Sequence, residues 1–188
     1  AVIESGLTNA VSPSGASGFW QFMKAAAQEY SLEVSDQVDE RYHLEKATQA
    51  ACDYLNKAKR STGSWTMAAA AYNAGVAGMN KQTTFQQTNN YYDLYLNSET
   101  SRYVFRILAV KEIMKYPKKY GFIFDKKHLY NELPTYNVMV DSTIENLTDF
   151  AKSQNITYKE LKNYNPWLRD RKLDNKEGKT YYIKIPKK

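Results

Sequence analysis

The pattern of apolar residues changes type at Pro134, and this change most constrains how the chain can fold. Before that proline, apolar residues recur at three- and four-residue steps, which is the period of an amphipathic helix. After it, residues 136–140 alternate as a strand does, and residues 181–186 read as a second strand. The sequence therefore predicts a mainly α fold: an α-helical domain over residues 1–133, then a small α+β domain of order β-α-α-β over residues 134–188.

Helix boundaries are predicted from the same period and from capping residues. Cys52 lies within an alanine-rich helical stretch, and we expect it to be an inert small core residue. Two segments lack helical periodicity: residues 80–98, predicted as a long loop, and residues 117–133, predicted as a connector packed on the helical domain. The expected helices span residues 19–30, 44–61, 65–73 (N-cap Ser64), 99–116 (N-cap Ser98), a segment capped by Ser142 or Thr143 that runs to 152, and 158–163 (N-cap Thr157).

Composition and charge exclude several classes of function. At 188 residues, with 43% hydrophobic and 24% charged side chains, the chain can bury a globular core. The net charge is +6, but the lysines are scattered, so the basic patch that nucleic-acid binding needs is missing and no nucleic-acid partner is expected. His43 and His128 lie far apart without metal-ligand spacing, so we expect neither a metal nor a cofactor.

The first residues read as the end of a helix. The sequence opens on Ala-Val-Ile-Glu, so we expect that a helix begins upstream and that a leader or membrane anchor could have preceded it. The sequence given holds no run of 18 or more apolar residues and no signal peptide.

Glu4 is the candidate functional residue of this opening stretch. A carboxyl directly behind an apolar tripeptide tends to be desolvated, which raises its pKa and lets it act as a general acid near neutral pH. Farther along, Trp20 and Phe22 offer flat apolar faces of the kind that sugar rings pack against, and Gln21 can donate and accept hydrogen bonds. The alternative interpretation makes Glu4 a surface carboxylate and Trp20 a core side chain.

Three motifs, in order, decide between these interpretations. Glu4-Ser5 is followed over residues 12–23 by Ser-x-x-Gly-Ala-x-Gly-Phe-Trp-Gln-Phe-Met. Residues 70–75 read Ala-Ala-Tyr-Asn-Ala-Gly, and residues 99–104 read Glu-Thr-x-x-Tyr-Val. Together they resemble the signature of the lytic transglycosylases of the goose-type lysozyme superfamily, most closely the membrane-bound type D group. The resemblance implies a lysozyme-like fold for the helical domain.

The resemblance also implies a reaction and its residues. It implies cleavage of the β-1,4 bond between N-acetylmuramic acid and N-acetylglucosamine in peptidoglycan, with formation of 1,6-anhydromuramoyl ends and Glu4 as the single general acid and base. Two alternatives stay open: a hydrolytic lysozyme- or chitinase-like glycosidase on the same fold, and an inactive peptidoglycan-binding protein. The resemblance places Tyr72, Asn73 and Tyr103 at the cleft, and we expect Ser5, Gln21 and Glu99 to contact substrate as well.

The second domain resembles a LysM domain, a small module that binds peptidoglycan or chitin. Asp141-Ser142-Thr143 stands where Gly-Asp-Thr is usual, so the turn must differ from the family's. By resemblance, a glycan groove would lie between Ser142-Thr143 and the loop that carries Asn165 and Trp167. A LysM-like domain that only braces the catalytic domain is the alternative.

Together, the two resemblances predict where the protein acts and on what substrate. We expect a monomer that acts on peptidoglycan glycan strands in the bacterial cell envelope, in the periplasm or at the outer membrane. An anchor outside the given sequence would be compatible with this setting.

Overall fold

A computed structural model describes residues 1–187. Lys188, the last residue of the predicted second domain, lies outside the described residues. The first part is helical, and the second contains an antiparallel pair of strands with two helices between them, as the sequence predicts. The elements are α1 (Val2–Ser5), α2 (Lys24–Glu29), α3 (Leu44–Thr62), α4 (Trp65–Ala74), α5 (Val76–Gln86), α6 (Ser98–Lys115), β1 (Thr135–Val140), α7 (Leu147–Ser153), α8 (Tyr158–Tyr164) and β2 (Tyr181–Pro186).

Helix α4 forms the centre of the helical part. Its predicted N-cap is confirmed, because the Ser64 hydroxyl accepts a hydrogen bond from the Met67 amide at 3.1 Å. Small side chains along α4 let α3, α5 and α6 pack closely against it, which buries its apolar surface. The buried residues of α4 are Met67, Ala68, Ala70 and Ala71.

The predicted helix over residues 19–30 is shorter than expected, because its first residues form a turn. Residue Ser17 donates its amide to the Phe22 carbonyl at 3.1 Å, and Gln21 has a φ of 50°. A backbone with positive φ cannot belong to a right-handed helix, so the helix starts only at Lys24. Tertiary contacts of the turn, described below, override the local pattern.

The prediction of a loop over residues 80–98 is wrong for the first half of this segment. Helix α5 continues to Gln86, and a 3-10 turn follows at Tyr91–Asp93. Met79, fully buried against α4, anchors α5, so packing stabilises a helix whose polar sequence gave no periodic signal. The next cap is also corrected: the Asn97 side chain, rather than Ser98, accepts from the amides of Glu99 and Thr100.

Solvent exposure contradicts two further predictions, and the capping of α7 contradicts a third. Cys52 lies on the exposed face of α3 and is not a core residue. Residues 118–134 are exposed throughout, so this connector does not pack as predicted, apart from a short 3-10 turn at Pro117–Tyr120 that follows α6. The α7 helix starts later than expected, with Asn146 as its N-cap in place of Ser142 or Thr143.

The two strands pair in one register, with Thr135 opposite Pro186 and Val140 opposite Tyr181. Tyr181, Ile183 and Ile185 point inward and are buried, whereas Tyr182, between Tyr181 and Ile183, is exposed. This alternation gives the sheet an inner face packed on α7 and α8 and an outer face turned away from them.

The core under the sheet also takes residues from the helical part. Val38, 1% exposed, and Tyr42, 7% exposed, belong to the same hydrophobic cluster as the strands and α7 and α8. Hydrogen bonds accompany this packing. The Gln37 side-chain amide donates to the Asp174 carboxylate at 2.8 Å, and the Asp39 backbone amide donates to the Trp167 carbonyl at 2.9 Å. The segment of residues 37–42 is therefore shared by both parts.

Candidate active site

Glu4 lies in α1, which packs against α6. Gly6 closes the helix in the left-handed conformation, with a φ of 61° and its amide bonded to the Val2 carbonyl at 2.9 Å. Glu4 is half-buried, and burial raises the pKa of its carboxyl above the usual range, with the nearby Glu99 charge acting in the same direction. The expected desolvation of this acid is present in the structure.

Tyr103, one of the predicted contacts, donates its hydroxyl to the Glu4 carboxylate. The tyrosine is 6% exposed on the buried face of α6, and burial beside Glu4 raises the pKa of its phenol. A phenol that stays protonated can only donate to the carboxylate, and this bond lowers the pKa of Glu4 against the larger effect of burial. Tyr103 thus orients the acid and stabilises its charged form.

Tyr72 closes the side of the site next to Trp20. Its hydroxyl donates to the Trp20 carbonyl at 2.8 Å, and its ring meets the Trp20 ring edge-on at 6.3 Å between centroids. Burial, with the Glu4 charge as a second cause, raises the pKa of Tyr72. Because its hydroxyl is bonded to backbone, Tyr72 fixes the aromatic wall rather than offering a free donor.

Asn73 ends α4 beside the first turn of α6. Its amide nitrogen donates to the Glu99 carboxylate at 3.2 Å, and its amide oxygen accepts from the Thr100 hydroxyl at 2.9 Å. These two bonds fix the orientation of the amide and join the second and third sequence motifs. Thr100 was missed as a site residue, although it is the second letter of the Glu-Thr motif.

Gln21 and Ser5 shape the loop that follows Glu4. The Gln21 amide nitrogen donates to the carbonyls of Ala10 and Gly18 at 2.9 and 2.8 Å, and the Ser5 hydroxyl donates to the Phe19 carbonyl at 2.9 Å. Both side chains are thus engaged with backbone, and substrate contact by either one stays a prediction.

Arg41 anchors this loop. It was not predicted as a site residue, and the available signal for it is the segment Asp39-Glu40-Arg41 shortly before α3. Its guanidinium forms a two-point pair with Asp39 and donates to the carbonyls of Gly15 and Phe22 at 3.0 and 3.2 Å. Its own carbonyl lies so close to Gly18 that a β-carbon there would approach it to 2.0 Å. Only glycine fits, with its φ of 79°.

Two of the four residues predicted for a glycan groove in the second domain are buried. Asn165 is fully buried, and its amide donates to the carbonyls of Leu161 and Lys184 at 3.0 and 2.7 Å. Trp167 is 3% exposed and stacks between His43 and Tyr181. Both nevertheless line a cleft between the two parts of the chain. Ser142 is exposed, and Thr143 accepts from the Asn175 amide at 3.0 Å. Glycan binding by these four residues stays a prediction.

Over residues 1–187, no group of three or more His, Cys, Asp or Glu residues is arranged to hold a metal ion. None of the helices described is long and apolar enough to cross a membrane.

The structure thus joins a helical domain that holds a half-buried, tyrosine-bonded glutamic acid to a βααβ unit. Residues 1–95 match the family model described as "Transglycosylase SLT domain", and the chain belongs to this family. Residues 136–188 match "Soluble lytic transglycosylase C-terminal LysM-like domain".

Two curated relatives share the whole length of the chain. The protein is 26% identical over 200 residues to "Membrane-bound lytic murein transglycosylase D" of Escherichia coli strain K12, and equally to the protein of that name in Escherichia coli O6:H1. The alignment covers 100% of this chain and 42% of each relative, so the chain spans less than half of their length.

Proposed function

We propose that this chain is a peptidoglycan lytic transglycosylase that cleaves the β-1,4 bond between N-acetylmuramic acid and N-acetylglucosamine and leaves 1,6-anhydromuramoyl ends. The observation that carries the proposal is the hydrogen bond from Tyr103 to a half-buried Glu4. The murein substrate named for the relatives fits this geometry. The expected setting is the bacterial cell envelope, with the chain as a monomer.

The proposed reaction uses Glu4 twice. The protonated carboxyl gives its proton to the glycosidic oxygen while the C–O bond breaks, and the substrate's acetamido group supports the positive charge at the anomeric carbon. The carboxylate then takes the proton of the C6 hydroxyl, whose oxygen closes the anhydro ring. Water is not consumed, and Glu4 ends protonated as it began.

The surroundings of Glu4 suit both halves of this cycle. Burial and the Glu99 charge favour the protonated acid that the first step needs. The Tyr103 hydroxyl stabilises the carboxylate that the second step needs. We propose that Asn73, held by Glu99 and Thr100, positions the sugar next to the bond that breaks.

A separate second carboxylate for hydrolysis has weaker support. Glu29 pairs with Lys57 on the outside of α2 and α3, and Glu33 accepts from Tyr181 of the second domain. Glu99 is the acid whose charge acts on Glu4, and Asn73 holds it. Two-carboxylate glycosidases place the second group across the scissile bond, so a hydrolytic enzyme would need Glu99 in that role.

The test is Glu4→Gln, assayed on purified peptidoglycan. We expect release of muropeptides to fall by roughly 100-fold or more, as is typical when a general acid is removed. Binding to intact sacculi should persist, because glutamine keeps the shape of the side chain. Glu29→Gln, an exposed acid on α2, is the matched control and should retain full activity.

Mass spectrometry of the products distinguishes the two reactions. Anhydro ends are lighter than hydrolysed reducing ends by one water, so reducing ends would replace the proposal with hydrolysis. Undiminished release by Glu4→Gln would remove Glu4 from the chemistry altogether.

A further inference from the structure

A cleft of about 550 Å³ lies at the seam between the two parts of the chain. One wall comes from the helical part, with Asn9, Phe19 and the start of α3 at His43. The other comes from the outer face of the sheet, with Asn137 of β1 and Tyr182 of β2, and from the end of α8. Neither part forms this cleft alone.

The lining combines amides with aromatic rings. The side chains of Asn9, Asn137 and Asn163 are exposed around the opening, so their donors and acceptors face solvent. Tyr182 is 56% exposed on the outer face of the sheet, where it packs under no other element, and Tyr164 lines the cleft beside it. Amides with flat rings suit a ligand that has both polar groups and apolar faces.

Charges in the cleft are compensated within the protein. The Lys184 ammonium pairs with Glu45, and the Lys46 ammonium pairs with the buried Glu40. His43 is half-buried, and burial lowers its pKa, which favours the neutral ring near neutral pH. Such a lining offers no unpaired charge to a strongly ionic ligand, so it favours a neutral polar one.

The cleft adjoins the loop that follows the catalytic acid. Phe19 lines the cleft, and its carbonyl accepts the Ser5 hydroxyl at 2.9 Å, one residue after Glu4. A linear ligand that passes Glu4 and crosses this loop would therefore reach the cleft. Of the four residues predicted for a glycan groove, Asn165 and Trp167 line this cleft, whereas Ser142 and Thr143 do not.

We propose that the seam cleft binds N-acetylated amino-sugar units of the same glycan strand that is cut at Glu4, which makes the second domain part of an extended substrate groove. This inference rests on the proposed function for its ligand class. It adds a binding wall, centred on Tyr182, Asn137 and Asn163, that is separate from the reacting residues.

The experiment is an NMR titration of the full chain carrying Glu4→Gln, with an N-acetylglucosamine hexamer as the probe. Backbone amide signals of Asn137, Asn163 and Tyr182 should shift and saturate. Adding Tyr182→Ala should weaken the binding measured at the Asn137 and Asn163 signals roughly tenfold, or about 1.4 kcal/mol. Tyr136→Ala, an exposed tyrosine of β1 that does not line the cleft, is the matched control and should leave the affinity unchanged.

Each other outcome counts against the inference. Absent shifts at the seam, or shifts that Tyr182→Ala leaves unaltered, would overturn it. A free stem peptide that shifts these signals when the hexamer does not would assign the cleft to peptide instead. The titration needs no turnover, so a chain without transglycosylase activity could still show seam binding, and the two failures are distinguishable.

Discussion

Glu4 is subject to two opposing influences at the scale of the residue. Burial and Glu99 raise its pKa, whereas the hydrogen bond from Tyr103 lowers it. The sequence motifs pointed to both residues, but the balance between the two influences depends on distances that no motif states. The net effect is a raised pKa, so the acid form persists to higher pH than in a free carboxyl.

Replacing Tyr103 by Phe tests this balance. The acid form is lost as pH rises through the pKa of Glu4, so activity should have an alkaline limb. Tyr103→Phe removes the bond that stabilises the carboxylate, which raises that pKa further and moves the limb to higher pH. The maximal rate should fall on the order of tenfold, because Glu4 is less well oriented. A pH–rate profile measures both effects.

The matched control is Tyr95→Phe, at a tyrosine that is 90% exposed. Its profile should overlay that of the parent. An alkaline limb that moves to lower pH in Tyr103→Phe would contradict the role given to the phenol.

Gly18 is a second residue whose importance is local. We expect Gly18→Ala to lower the free energy of unfolding by roughly 2 kcal/mol or more, because the β-carbon would meet the Arg41 carbonyl and the backbone is left-handed. Gly78→Ala is the control: it lies inside α5 with open space around the β-carbon, and alanine should stabilise the helix by about 0.8 kcal/mol. Urea denaturation compares the two, and equal stabilities would refute the close fit.

At the scale of elements, two helices meet to build the site. The end of α4 carries Tyr72 and Asn73, and the first turns of α6 carry Glu99, Thr100 and Tyr103. Each helix was predicted from its apolar pattern and caps. Their meeting was implied only by the family resemblance, because no local pattern encodes the bond between Asn73 and Thr100, which joins residues 27 apart in sequence.

The cap of α6 gives a test at this scale. Asn97→Ala should lower the free energy of unfolding by about 1 kcal/mol, since the Asn97 side chain accepts from two amides at the start of the helix. Ser98→Ala, one residue later, should change it by a few tenths of a kcal/mol at most, because Ser98 is exposed and is not the cap. Thermal or urea unfolding measures the stability of both variants. A larger loss in Ser98→Ala than in Asn97→Ala would support Ser98 as the N-cap, as predicted from sequence.

The helical part and the second domain are joined through residues 37–42. Val38 and Tyr42 enter the core of the second domain, and Arg41 beside them holds the loop after Glu4. An independent binding module would not share core residues with its neighbour. The predicted domain limits at residues 133 and 134 thus describe the chain order, while the packing crosses them.

Val38→Ala tests this joining. The side chain is 1% exposed, so its truncation should lower the stability by roughly 1–3 kcal/mol. Calorimetry of the parent and the variant should each show one transition, shifted to lower temperature in the variant. Val11→Ala, at a valine that is 61% exposed, is the control and should not shift it. Two separate transitions, with only the second domain destabilised, would contradict the shared core.

Sequence alone was enough to predict the main helices other than α5, to predict the strands that pair at the end, and to nominate the motif residues Glu4, Asn73 and Tyr103. It could do so because period, caps and short motifs are local properties of the chain. The helix over Val76–Gln86, the turn around Gln21 and the exposure of Cys52 depended on tertiary packing. The same is true of the seam, because burial of Val38 and Trp167 requires surfaces that come together only in the folded chain.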